Sequence, residues 1–186
     1  MATSFEKVYS EALFSLVSES AADGAQEVLT NMLSELKAVE QIFADTPEFV
    51  KLMKTPVVSQ EEKLELIDKA FSGNVCEYLL NFLKVLVSNH RIGGFERVVR
   101  EFRQRYNNAF GIMEITVTAT APLSDDLRGK IKAKMETLTN KTILLSEKVD
   151  TTLIGGIILD YGSTRLDGSV KTRLEALKND ITNIIA

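Results

Sequence analysis

The chain has one cysteine, Cys76, and one histidine, His90. A single thiol excludes an internal disulfide and a cysteine-rich metal site. An enzyme needs a base, a nucleophile or a metal in a defined geometry. The lone histidine falls at a predicted helix end between Asn89 and Arg91 and reads as a capping or surface residue. The patterns H-E-x-x-H, C-x-x-C, G-x-S-x-G and G-x-x-x-x-G-K-[ST] are all missing. No apolar run approaches the roughly 20 residues that span a bilayer. The opening MATSFEKVYSEALF is amphipathic and partly acidic, without the basic start and continuous apolar core of a secretory signal. These absences predict a chain with no catalytic residue, no metal, no cofactor and no membrane span of its own.

What is present suffices for one medium domain or two small ones: 186 residues, 45% of them hydrophobic. The net charge of −4 gives no general attraction to nucleic acid. The charge is unevenly spread. Met1 to His90 carries 14 acidic and 7 basic residues, whereas Arg91 to Phe110 carries 5 arginines against Glu96 and Glu101. Arg91, Arg97, Arg100, Arg103 and Arg105 lack the basic surround of a nucleic-acid patch. They are expected to pair with Glu96, Glu101 or the acidic region before them.

Residues 1–107 read as an all-helical bundle. Phe5, Val8, Tyr9, Ala12, Leu13, Leu16 and Val17 recur at three- and four-residue steps as one apolar stripe, with Ser4 placed to cap it. A second helix from about Asp23 to Ala44 turns Val28, Leu29, Met32, Leu33, Leu36, Val39 and Phe43 inward. Pro47 suits a first helical turn, and Ser59 with Glu62 has capping-box spacing. Helices from about Val75 to Ser88, with Cys76 as a small buried residue inside, and from Gly94 to about Asn108 complete the bundle.

The pattern changes near Asn107 to Gly111, and residues 111–186 read as a smaller α+β domain. IMEITVTATA alternates with period two, as a strand does. Ser124 then opens a helix with Leu127, Ile131, Met135 and Leu138 inward. KTILLSEKV is a second strand, and GGIILDY with TRL forms a hairpin turning at Gly162 and Ser163. The last helix starts near Ser169 and turns Val170, Leu174, Leu177, Ile181 and Ile184 inward.

The glycines of this second region invite a phosphate-loop reading, which the neighbours oppose. Gly155 and Gly156 run into a strand, so their amides are expected in a sheet ladder. Gly168 and Ser169 precede a helix, but Asp167 would repel phosphate there and is suited to capping that end itself. The expectation is glycine for close strand approach and tight turns.

One feature exceeds what a core requires. Between Val75 and Ser88 only Glu77, Asn81, Lys84 and Ser88 are polar, so the apolar arc covers more than half the helix. It is either a central helix buried on two sides or half of a groove for a partner helix, formed with the first helix.

YSEALF (Tyr9 to Phe14), NHRI (Asn89 to Ile92), VDTTLIGGIILDYG and LDGSVKTRLEAL together resemble the delta subunit of F-type ATP synthases, the counterpart of the mitochondrial oligomycin-sensitivity-conferring protein. Thr151 stands where many members have proline. The resemblance covers nearly the whole chain. It implies a non-catalytic stator subunit, one per complex, peripheral on the cytoplasmic face of the membrane or in an organelle, that resists rotor torque during proton-driven ATP synthesis. It implies that the helical domain holds the N-terminal helices of the alpha subunits and the C-terminal domain holds the end of the peripheral-stalk b subunit, with no nucleic-acid partner. On that basis Tyr9, Ala12, Leu13, Tyr78, Phe82, Val85 and Leu86 are the candidate anchors for the alpha helix. Some of them must be core, and Phe14 is open to either role. Gly155, Gly156, Asp167, Gly168 and Ser169 are the structural C-terminal motif. Rival classes, an RNA-binding adaptor on the arginine helix or a nucleotide enzyme on the glycines, meet the acidic domain and Asp167 as obstacles.

Overall fold

The computed structural model describes residues 4–20, 24–162 and 164–185. The order is α1 (Phe5–Ser20), α2 (Ala25–Asp45), α3 (Pro47–Lys54), α4 (Gln60–Phe71), α5 (Glu77–Ser88), a 3-10 turn (Ile92–Gly94), α6 (Phe95–Ala109), β1 (Ile112–Ala119), α7 (Asp125–Thr139), β2 (Thr142–Val149), β3 (Ile157–Tyr161), β4 (Thr164–Asp167) and α8 (Val170–Ile185). This is the expected α+β class. The chain divides into two compact units that meet between Tyr106 and Asn107.

In the first unit, local signals set the helix ends. Asp23, the expected start of α2, lies outside the described residues. Pro47 occupies the first turn of α3. Ser59 and Glu62 form the capping box: the Glu62 N–H donates to Ser59 Oγ at 3.2 Å and the Ser59 N–H to Glu62 Oε2 at 3.0 Å. The start of α5 is a correction, two residues later than expected. Glu35 of α2 accepts the Cys76 N–H at 2.8 Å and holds Cys76 extended as the N-cap. Cys76 is therefore half-buried at a helix start, and its thiol is pushed up chiefly by burial.

The end of α5 is closed by a Schellman motif. His90, exposed and in the left-handed region at φ 55°, donates its N–H to Val87 O at 3.0 Å, and Arg91 N–H reaches Leu86 O at 2.8 Å. The core gathers around Phe43, whose ring lies 5.1 Å from that of Phe95 and 6.0 Å from that of Phe71. Such pairs add about 0.5–1.5 kcal/mol beyond area burial. Val28, expected inward, is exposed. Lys63 is buried, with its Nζ donating to Thr55 O at 2.6 Å, which ties α4 to the loop before it.

In the second unit the sheet order is β2-β1-β3-β4. β1 and β2 are parallel, joined through α7, and β3 with β4 forms an antiparallel hairpin on the other side of β1. Ser163, in the expected hairpin turn, lies outside the described residues. Ile115, Val117 and Ala119 point to a core shared with Leu123, Ile131, Met135 and Ile143. Ser124 caps α7, accepting the Leu127 N–H at 3.4 Å. Four expectations of inward residues are corrected: Leu127 and Leu138 of α7 and Val170 and Leu174 of α8 are all exposed. The core buries one row of α7, Ile131 and Met135, and the flanking rows stay in solvent. Leu177, Ile181 and Ile184 lie outside the described residues as regards their side chains.

A candidate partner-binding groove

The inner face of α1 is not its most apolar face. Glu6, Ser10, Leu13 and Val17 are the buried residues, while Val8, Ala12 and Leu16 are exposed and Tyr9 is half-buried. The single apolar stripe read from the sequence therefore splits in two. The physical reason lies on α6, which supplies partners for the polar pair. Arg97 Nε meets Glu6 Oε1 at 3.1 Å. Arg105 donates from Nε to Ser10 Oγ at 3.2 Å and pairs with Glu11 at 3.0 Å. Arg100 pairs with Glu96 at 3.2 Å on its own helix. The arginine helix thus spends three of its charges on carboxylates, as expected. Hydrogen bonding to its own backbone amide is the largest influence holding the Glu6 carboxyl below the ordinary carboxylate range. Ser4 and the charges of Arg97 and Arg91 add to that, against the opposing effect of burial.

α5 also has two faces. Leu79, Leu83, Leu86 and Val87 are buried at 0–1% exposure, whereas Tyr78 and Val85 are 43% and 47% exposed. Its wide apolar arc serves both alternatives at once, one side core and the other side open. The open side lies beside the open side of α1. Together they form a groove of about 610 Å³ whose lining includes Tyr9, Ala12, Leu13, Tyr78, Phe82 and Val85. Six of the seven candidate residues are brought together. Leu86 is the correction: one turn from Phe82 but fully buried in the core, it is not among the residues that line the groove. Leu13 and Phe82 are nearly buried and form the groove floor. The pattern missed Val8, Leu16 and Asn81, which also line it. Asn81, with the tyrosines, supplies its few polar atoms. Phe14 packs on the core ring of Phe102, centroids 5.7 Å apart.

At the end where α1 begins, aromatic rings carry cations. The Arg91 guanidinium lies 5.1 Å from the Phe5 ring centroid and 5.4 Å from that of Tyr9, and Arg97 lies 5.8 Å from Phe5. Phe5 fits there because residue 94 is glycine: a Cβ on Gly94 would come within 2.4 Å of the Phe5 ring.

The glycine motif of the second unit works by backbone geometry. Gly156 has φ 84°, and a Cβ there would lie 2.5 Å from Gly168 O. Gly155 and Gly156 precede β3, so their amides do not join the ladder, a correction to the expectation. Instead Gly155 O accepts the Val170 N–H at 2.9 Å, docking the start of α8. Gly168 has ordinary φ but is crowded, with 3.1 Å between an added Cβ and Ile157 O. Ser169 Oγ accepts the Thr172 N–H at 3.3 Å as the helix cap. Asp167 accepts from the Ser169 N–H at 2.8 Å and the Thr172 hydroxyl at 2.9 Å. Those bonds, the Ser169 N–H first, hold the Asp167 carboxyl below its ordinary value. At Thr151, where proline is common in the resembled family, the turn is made by Asp150, whose carboxylate accepts the Thr152 N–H at 2.9 Å.

Residues 5–181 match the family model described as ATP synthase delta (OSCP) subunit. The chain is 31% identical over 178 residues to the ATP synthase subunit delta of Clostridioides difficile, covering 96% of each chain. It is 32% identical over 170 residues to the Prochlorococcus marinus protein of the same name, covering 91% of each. Among solved structures, a chain of the Toxoplasma gondii mitochondrial ATP synthase hexamer shares the fold, with a TM-score of 0.70, 24% identity, and coverage of 97% of this chain and 98% of that one.

Proposed function

The chain belongs to the ATP synthase delta (OSCP) subunit family, and on that premise we propose that it is a torque-bearing joint of the synthase stator, structural rather than catalytic. In this reading the helical unit grips an N-terminal helix of the alpha subunit in the groove between α1 and α5. The α+β unit holds the end of the peripheral-stalk b subunit, and one copy serves each complex. No described helix is long and apolar enough to cross a membrane, so the complex would hold the chain at the membrane surface.

The observation that carries the reading is the groove. Val8, Leu16, Tyr78 and Val85 are all exposed around an apolar floor, a pattern that marks an interaction site rather than a core. An amphipathic helix with apolar residues at three- and four-residue steps fits between two antiparallel helices. A joint under torque must dissociate slowly, and a nanomolar constant corresponds to about −12 kcal/mol. Aromatic anchors in a desolvated cleft are the usual source of such affinity, and Tyr9, Tyr78 and Phe82 stand in that position.

The test uses the assembled complex. A photo-reactive amino acid at Val85 should cross-link to the alpha subunit, and one at Leu174 in the second unit should not. Capture of another subunit from Val85, or of alpha from both sites alike, would overturn the assignment.

A further inference from the structure

We infer that the groove is directional: it takes its partner helix with the C-terminal end, bearing a carboxylate, over the Arg91 guanidinium. This rests on the reading of the groove as a helix site and adds the partner's orientation and charge.

The charge of Arg91 is only lightly used within the fold: it acts on the Glu6 carboxyl from a distance, behind Arg97, which makes the direct pair. The end of α5 is closed by backbone N–H groups and by Asn89 Nδ2, which donates to Val85 O at 2.8 Å. Arg97 and Arg105 each have a carboxylate, but among the described residues Arg91 forms no ion pair. Its guanidinium instead lies over Phe5 and over Tyr9 of the groove lining, and the residue is exposed. Stacking engages the faces of a guanidinium and leaves its N–H edge free, in the fork that matches a carboxylate.

The opposite end carries the other sign. Glu77 lies one turn before Asn81 of the lining, and Glu19 one turn beyond Leu16. Both are exposed and without an ion pair among the described residues. The nearby cation Lys84 is taken by Asp68 at 2.6 Å. α1 begins where α5 ends, so their two dipoles oppose and largely cancel along the groove. The side chains then set the field, positive at Arg91 and negative at Glu19 and Glu77. A bound helix presents about half a positive charge at its N-terminus and half a negative one at its C-terminus, and the complementary orientation puts its C-terminal end at Arg91.

The experiment adds a peptide of the alpha subunit's N-terminal helix, spin-labelled at one end or the other, to the full-length isotope-labelled chain. A label at the peptide's C-terminal end should broaden the amides of Phe5 and Arg91, and a label at its N-terminal end those of Tyr78. Arg91→Gln should weaken binding about tenfold and remove its salt dependence, with the melting curve little changed. The reversed broadening pattern, or unchanged affinity in Arg91→Gln, overturns the direction while leaving the groove as the site. Binding that broadens no groove amide with either label overturns the groove reading and this inference with it.

Discussion

Tyr9 of α1 and Phe82 of α5 meet edge to face, ring centroids 6.2 Å apart, and both line the groove. Beside that contact, Val85 and Leu86 are sequence neighbours with opposite fates: 47% exposed and fully buried. The pair separates binding from stability. Val85→Asp should leave the fold intact and weaken alpha-peptide binding by about 2 kcal/mol or more, because complex formation would strand an unpaired charge. Leu86→Ala should cost about 2–5 kcal/mol of stability. Calorimetry and circular dichroism on both variants check this. A Val85→Asp chain that unfolds, or that binds like the parent, contradicts the groove.

The two-domain plan, the α+β class and most helix starts were legible, because proline, capping pairs and the switch from helical to alternating period are local signals. Pro47, Ser59 with Glu62, and Ser124 each act where their spacing predicts. Which apolar residues face inward was less legible. Glu6 and Ser10 are buried where Arg97 and Arg105, about ninety residues away, bond to them, and periodicity cannot register a pairing of that range. A surplus of apolar residues marks the site in the sequence, and a surplus does not separate core from groove: it includes the core residue Leu86 and leaves out Val8 and Leu16. The start of α5 was missed for the same kind of reason, since its cap acceptor, Glu35, comes from another helix.

The C-terminal motif predicts an order of damage among its members. Gly156→Ala should be the most harmful, because residue 156 has positive φ and an added Cβ would strike the backbone at Gly168. Ser169→Ala should cost about 0.5–2 kcal/mol through loss of the α8 cap. Denaturant unfolding of both variants measures the order. Equal stability to the parent in Gly156→Ala would mean that the close approach is not needed.

Acid should weaken the second unit through particular carboxylates. Asp167 is held down first by the Ser169 N–H, Glu147 first by its hydrogen bond from Arg128 at 2.6 Å, and Asp150 first by the Thr152 hydroxyl. Each has a lower value folded than unfolded. Its contribution is therefore complete above the ordinary carboxylate range, near 4, and is lost as pH falls through the lower folded value. Melting temperature should drop below about pH 4, and Asp167→Asn should flatten part of that drop while lowering stability at neutral pH. A pH profile unchanged by Asp167→Asn would remove Asp167 from the account.

Arg105 offers the last test, of how α1 is held in place to form the groove wall. Its guanidinium makes bonds to Ser10 Oγ, to Glu11 and, at 3.4 Å, to Lys7 O, so one side chain ties two turns of α1 to α6. The Glu11 pair is largely exposed and should contribute little by itself. Ser10 is fully buried, but its hydroxyl keeps a second bond to Lys7 O at 3.2 Å. Arg105→Ala should therefore cost only about 1 kcal/mol. The loss should be concentrated in α1, because Leu13 and Val17 anchor only one end of its inner face in the core. Hydrogen exchange should show faster α1 amides with α5 unchanged, and alpha-peptide affinity should fall although no groove residue has been altered. Uniformly faster exchange across the helical unit would show that Arg105 supports the whole bundle. Unchanged exchange in α1 would show that its apolar contacts alone hold the wall.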